Sequence, residues 1–155
     1  MRRMTIGALG LVLALLCAAC GGWSTLSEVG KAVGVELSDG EVLTDEDTHG
    51  GFHGDGRRLV TVRFPERQGD TLAETISGRD SWSPLPLPGV LSDLAKQGFE
   101  DLTAATRGYY FFENRHSEAK DGGDLDQLVG PASFNFTVAV YDTAARTLYY
   151  YELDT

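Results

Sequence analysis

The chain has 155 residues, and its 23 acidic against 13 basic side chains give a formal net charge of −10. It lacks the basic footprint that nucleic acid requires, so no nucleic-acid partner is expected, and its folded part is not expected to lie flat on anionic lipid. Its two cysteines, Cys17 and Cys20, both stand near the N-terminus, so the rest of the chain has no disulfide, cysteine zinc site or thiol nucleophile.

Arg2 and Arg3 open the chain, and an uncharged apolar run follows from Ile6 to Ala19. A run of about 14 residues is shorter than the roughly 20 that a spanning helix needs. With the small pair Ala18 and Ala19 before a cysteine, residues 1–19 have the layout of a secretory signal peptide.

The cleavage region reads Leu16-Cys17-Ala18-Ala19-Cys20. It resembles the bacterial lipobox, departing from it at Cys17, where leucine is preferred. The resemblance implies cleavage before Cys20, acylation of that cysteine by chains such as palmitate, and a place in the bacterial cell envelope, facing outside the cytoplasm. An ordinary signal peptide cut near Ala19 would instead leave Cys20 as a free thiol. Each buried acyl methylene contributes about 0.8 kcal/mol, so the several chains of such lipoproteins hold firmly to a membrane. Gly21 stands where an aspartate would favour inner-membrane retention. Loss of Arg2 and Arg3 leaves 11 basic against 23 acidic residues, a net −12.

Residues 20–25 form a tether of under roughly 20 Å, at about 3.5 Å per residue. Residues 26–155 read as one domain, long enough to bury a core unaided. The first element predicted is a short helix from Leu26 to Val35. Leu26, Val29 and Val33 share a face, Ser24 or Thr25 serves as cap, and Gly34 as terminator. Ser38-Asp39-Gly40 is a turn. A weak strand spans Glu41 to Asp47, a glycine-rich loop His49 to Gly56, and an alternating strand Arg58 to Phe64. A helix from Asp70 to Gly78, capped by Asp70, buries Leu72, Ala73 and Ile76.

Three prolines in Trp82-Ser83-Pro84-Leu85-Pro86-Leu87-Pro88 preclude a helix there. The segment is expected to lie extended, with Trp82, Leu85 and Leu87 tucked in. Val90 to Gln97 is a further helix. The aromatic strand Gly108 to His116 follows, then a polar, acidic loop from Ser117 to Pro131. Ser133 to Tyr141 and Thr147 to Leu153 flank a short turn and form a β-hairpin. From the first strand onward the order is β-β-α-α-β-β-β. That is an α+β domain with an antiparallel sheet of about five strands and helices packed on one face. All six tyrosines fall on strands, where each ring is expected to pack on the sheet and its hydroxyl to reach water.

Chemistry-bearing side chains concentrate in Asp47-Thr48-His49-Gly50-Gly51-Phe52-His53-Gly54-Asp55-Gly56. Its four glycines permit tight turns or close backbone approach. If the strand over 58–64 lies beside that over 108–114, His116 approaches this loop. His49, His53, Asp55 and His116 are therefore the candidate ligand-binding residues. His49, His53 and Asp55 form the candidate set for a divalent metal, with a hydrolytic role open to a metal-bound water. The alternative is a turn whose side chains bond to backbone. The glycines make a helix unlikely here, and the glutamate of His-Glu-x-x-His is absent. No phosphate loop, nucleophile elbow or calcium loop is present, so no catalytic residue is assigned.

The segments His49-Gly-Gly-Phe-His-Gly-Asp-Gly, Ser133-Phe-Asn-Phe-Thr-Val-Ala-Val-Tyr-Asp-Thr and Leu148-Tyr-Tyr-Tyr-Glu-Leu-Asp-Thr resemble those of small uncharacterised bacterial lipoproteins. That resemblance implies no activity. The expectation is a non-enzymatic binding module, lipid-anchored through Cys20, with a protein or small-ligand partner in the envelope and no resident cofactor. The rival is a metal or small-ligand site on the His49–Asp55 loop.

Overall fold

The computed structural model describes residues 22, 24–50, 54–116 and 134–155. The expected signal peptide, Cys20, His53 and the acidic loop after Ser117 lie outside them. Among the described residues no helix is long and apolar enough to cross a membrane.

Helix α1 covers residues 24–32 and buries Leu26 and Val29. It ends in a Schellman motif: Gly34 N–H donates to Lys31 O at 3.4 Å and Val35 N–H to Gly30 O at 3.0 Å. Gly34 has φ +70°, the left-handed conformation that this ending demands and that glycine tolerates. Ser24 and Thr25 are not caps but helix residues. Ser24 Oγ donates to Glu28 at 2.9 Å, and Thr25 Oγ1 reaches across to Asp45 at 2.6 Å.

The strands are β1 (Glu41–Asp47), β2 (Gly56–Arg63), β3 (Trp82–Pro84), β4 (Gly108–Asn114), β5 (Asn135–Asp142) and β6 (Thr147–Asp154). Helices α2 (Glu66–Ser77) and α3 (Gly89–Gly98) and a 3-10 turn (Glu100–Thr103) lie between them. The six strands form one sheet in the order β1-β2-β6-β5-β4-β3, antiparallel throughout. The α+β class is as expected, with one strand more. The extra strand is β3, at an edge, where proline costs no ladder bond on the open side. Trp82 pairs with Phe111 and Pro84 with Tyr109.

The helices cover both faces rather than one. Val60, Val62, Phe111, Ala139, Tyr141, Leu148 and Tyr150 form one core with Leu26, Val29 and Val33 of the α1 region and Leu72 and Ile76 of α2. Phe136, Val138, Val140 and Tyr151 form another with Leu91 of α3 and Leu102 of the 3-10 turn. Strand β5 carries the reason. Its residues from Phe136 to Tyr141 are all buried, because Ala139 and Tyr141 are apolar on the face opposite Phe136, Val138 and Val140. A strand with two apolar faces needs cover on each.

Helix α2 starts one turn before the expected cap at Asp70. Its N-cap is Pro65, and no side chain caps it. Gly69 lies within this first turn, buried against β5, where a Cβ would stand 2.9 Å from the Tyr141 hydroxyl. That hydroxyl donates to Gly69 O at 2.7 Å rather than reaching water. Burial pushes the Tyr141 phenol up to about 12. Trp82 Nε1 donates to Val33 O at 3.1 Å, tying β3 to the end of α1.

Candidate functional site

The β1–β2 hairpin brings the loop after Asp47 back to Gly56, where β6 lies alongside β2 with Asp154 opposite Gly56. The end of the chain thus meets the glycine-rich loop. Thr48 holds the hairpin mouth: its N–H donates to Arg57 O at 2.9 Å, and its hydroxyl accepts from Arg57 N at 2.9 Å.

His49 sits over this mouth with its side chain 21% exposed. A Cβ on Gly56 would stand 2.6 Å from His49 N and 2.9 Å from its ring Cδ2, so only glycine lets the imidazole lie there. Asp47 Oδ1 accepts from His49 N at 2.8 Å and faces Nδ1 at 2.7 Å. The backbone bond from His49, with the imidazole beside it, holds the Asp47 carboxyl below the usual carboxylate range. An ionised carboxylate only accepts, so Nδ1 carries the proton. On the far side of the ring, Nε2 approaches Asp154 Oδ2 to 3.3 Å. That contact is an ion pair rather than a hydrogen bond, and Nε2 is shut off from solvent.

Asp154 belongs to a larger network. Arg115 Nη2 meets its Oδ1 at 2.9 Å and Glu152 Oε1 at 3.1 Å. Arg115 Nε donates to the hydroxyl of buried Thr137 at 3.0 Å. Tyr150 donates to Glu152 Oε2 at 2.7 Å, and burial with this carboxylate beside it pushes the phenol well up.

A second ionic cluster lies on the same face, under α1. Arg58 spans Asp45 with Nε and Nη2, both at 3.0 Å, and reaches Glu28 Oε2 with Nη1 at 2.8 Å. The hydrogen bonds from Arg58 hold both carboxyls below their ordinary range, and those carboxylates raise the guanidinium. Beside α1, a groove of 1070 Å³ is lined by Leu26, Lys31, Val35, Leu37 and Val42 among others.

The strand pairing invoked for His116 does not occur. Strands β6 and β5 stand between β2 and β4, a separation of about 14 Å at 4.8 Å per strand. His116 stays at the β4 end, where its N–H donates to Asn114 Oδ1 at 3.0 Å. Asp55 is exposed just before β2. Asp154, Arg115 and Glu152 went unrecognised in the sequence. The only signal was a strand alternating Tyr150, Glu152 and Asp154 on one face, polar where its start is apolar. Among the described residues no group of three or more His, Cys, Asp and Glu side chains is placed to hold a metal ion. Comparison with family models, curated proteins and solved structures finds no match to this chain.

Proposed function

We propose that this protein is a lipid-anchored module of the bacterial envelope, exported, cut before Cys20, acylated there, and serving to bind a protein or small ligand. The observation that carries the reading is how close the folded body comes to the cysteine. By residue 24, four positions after Cys20, the chain is already in helix α1, and Gly22 is helical too. It is no loose leader, because Arg58 ties Glu28 to Asp45 and Trp82 ties Val33 to β3. Lipid on Cys20 would therefore hold the sheet, and the groove beside α1, within a few residues' reach of the membrane surface. The mature charge of −12 keeps such a body off anionic lipid and suits a basic partner.

The test is expression of the full precursor and of Cys20→Ser in a bacterium fed an alkyne-tagged palmitate. The expected result is a labelled, shortened chain that partitions into detergent, with label and cleavage both lost in Cys20→Ser. An unlabelled wild-type chain released free of membranes would end the anchor reading.

A further inference from the structure

We propose that the groove beside α1 holds one acyl chain of the lipid on the protein's own Cys20, laid along the helix instead of in the bilayer. This deepens the anchoring reading and rests on it, since the occupant exists only if Cys20 is acylated.

The place of the groove is the first argument. Gly22 is among the residues that line it, and two peptide units separate Gly22 from Cys20, a reach of about 7 Å. From Gly22 the lining continues along α1 to Lys31, nine positions on, or about 14 Å of helix. One leaflet of a bilayer core is about 15 Å deep, which is the span its acyl chains fill. The groove therefore starts where the anchor starts and runs about as far as one chain extends. Its volume of 1070 Å³ stands at the top of the range of about 300–1,000 Å³ typical of small-molecule sites. Tethering adds to this. A chain joined to the body through two residues is present at an effective concentration of roughly millimolar, so a modest apolar contact is enough to seat it.

The chemistry of the lining is the second argument. Leu26 from α1 and Val35, Leu37 and Val42 from the chain that follows it supply apolar contact. Of the polar side chains there, Thr25 and Asp45 are joined to each other at 2.6 Å, and Arg58 donates to Asp45 at 3.0 Å. The other ionic side chains of the lining, Lys31, Glu36 and Asp39, are exposed. Acyl chains linked to a cysteine through glyceryl esters or an amide carry no charge, so this acidic rim does not repel them. A fatty acid or an anionic phospholipid from the bilayer would bring a negative headgroup to Glu36, Asp39 and a body of net −12. The charge therefore selects the protein's own anchor over a lipid taken from the membrane. The docked chain turns α1 toward the membrane while the remaining chains hold the bilayer.

The experiment feeds a bacterium expressing the full precursor a palmitate analogue that carries a terminal alkyne and a mid-chain diazirine. Membranes are irradiated, the protein is captured, and cross-linked peptides are read by mass spectrometry. The expected result is the Cys20 peptide joined through its lipid to the segment 25–42. Ser27→Trp and Ser38→Trp place a large ring at exposed positions of the lining, and should keep the label on Cys20 and lose that cross-link. Circular dichroism identifies a variant that has not folded, in which case the wild-type cross-links decide. A labelled Cys20 whose lipid cross-links only to membrane components or to other parts of the chain overturns the proposal and leaves the anchor standing. So does a cross-link undiminished in both folded variants, because the chain then lies over the surface and not in the groove. Groove peptides joined to a lipid that is not attached to Cys20 overturn it in favour of a bilayer lipid. An unlabelled Cys20 removes the anchor and this occupant together.

Discussion

Arg58 and His49 lie at the same end of one sheet, and both are charged-partner residues with carboxylates on two sides, yet their situations differ. Arg58 has each of its three donor nitrogens within 2.8–3.0 Å of an acceptor oxygen. His49 is satisfied by Asp47 on one side and leaves Nε2 without a hydrogen bond on the other. Satisfied groups on two strands and a helix act as a brace, since breaking any one strands the others. A group hydrogen-bonded on one side, with only an ion-pair contact at 3.3 Å on the other, is oriented but less tightly braced. Neighbouring ionic clusters on one surface thus differ in how completely their donors and acceptors are used.

The largest expected effect comes from breaking the brace. Arg58→Ala leaves Asp45 and Glu28 facing one another without their cation. The network is part-exposed, so solvent screening reduces the cost to about 2 kcal/mol, which for a domain of this size is roughly 6 °C in Tm. Differential scanning calorimetry checks it. A change under 1 °C would mean that α1 is held by its apolar face alone.

Gly56→Ala probes the other cluster and should cost less, about 1–2 kcal/mol, because a Cβ pushes aside the His49 backbone and its ring at the hairpin mouth. The variant should keep the acid response of the Arg58 brace while losing the low-field signal expected of Nδ1–H held by Asp47. If that signal survives in a folded Gly56→Ala chain, the glycine is not what seats the ring.

The smallest effect is one of pH. The Asp45 and Glu28 carboxyls are held low by Arg58 in the folded state and return to about 4 when unfolded. Their contribution is therefore complete above pH of about 4.5 and lost as pH falls through the lowered folded values. Urea midpoints between pH 6 and pH 2 should fall more steeply for wild type than for Arg58→Ala, and the two curves should converge at the acid end. Parallel curves would show that the brace does not set the carboxyl titration.

The sequence made some elements plain and concealed others. The β5–β6 hairpin was legible because both runs alternate around a short polar turn. Strand β4 announced itself by its aromatics, and the end of α1 by Gly34. Helix α2 was misread at its start because Gly69 argues against a helix locally, and only the close crossing over Tyr141 makes a glycine necessary there. Strand β3 was hidden because three residues ending in proline carry no strand pattern, and pairing with β4 is what makes them one. The second helical layer was hidden because Ala139 and Tyr141 are also compatible with a strand wet on one side. Of the candidate site, His49 was legible from its glycine setting, whereas the aspartate chosen with it was Asp55 and the one that meets the ring is Asp47. Asp154 was not, since it lies 105 positions along the chain from His49.

Local chemistry is thus what the sequence by itself determined: periodicity of 2 in the strands, glycine at a left-handed cap, an acidic charge balance, and a lipobox-like segment that sets the expected address. These depend on residues within a few positions of each other, and the preferences act before any fold exists. Strand order, the two covered faces and the meeting of Asp47, His49, Asp154 and Arg115 were decided only by the tertiary structure. Each requires segments far apart in the chain to share a sheet edge, and hydrogen-bonded register between β2 and β6 is the physical link that places them together.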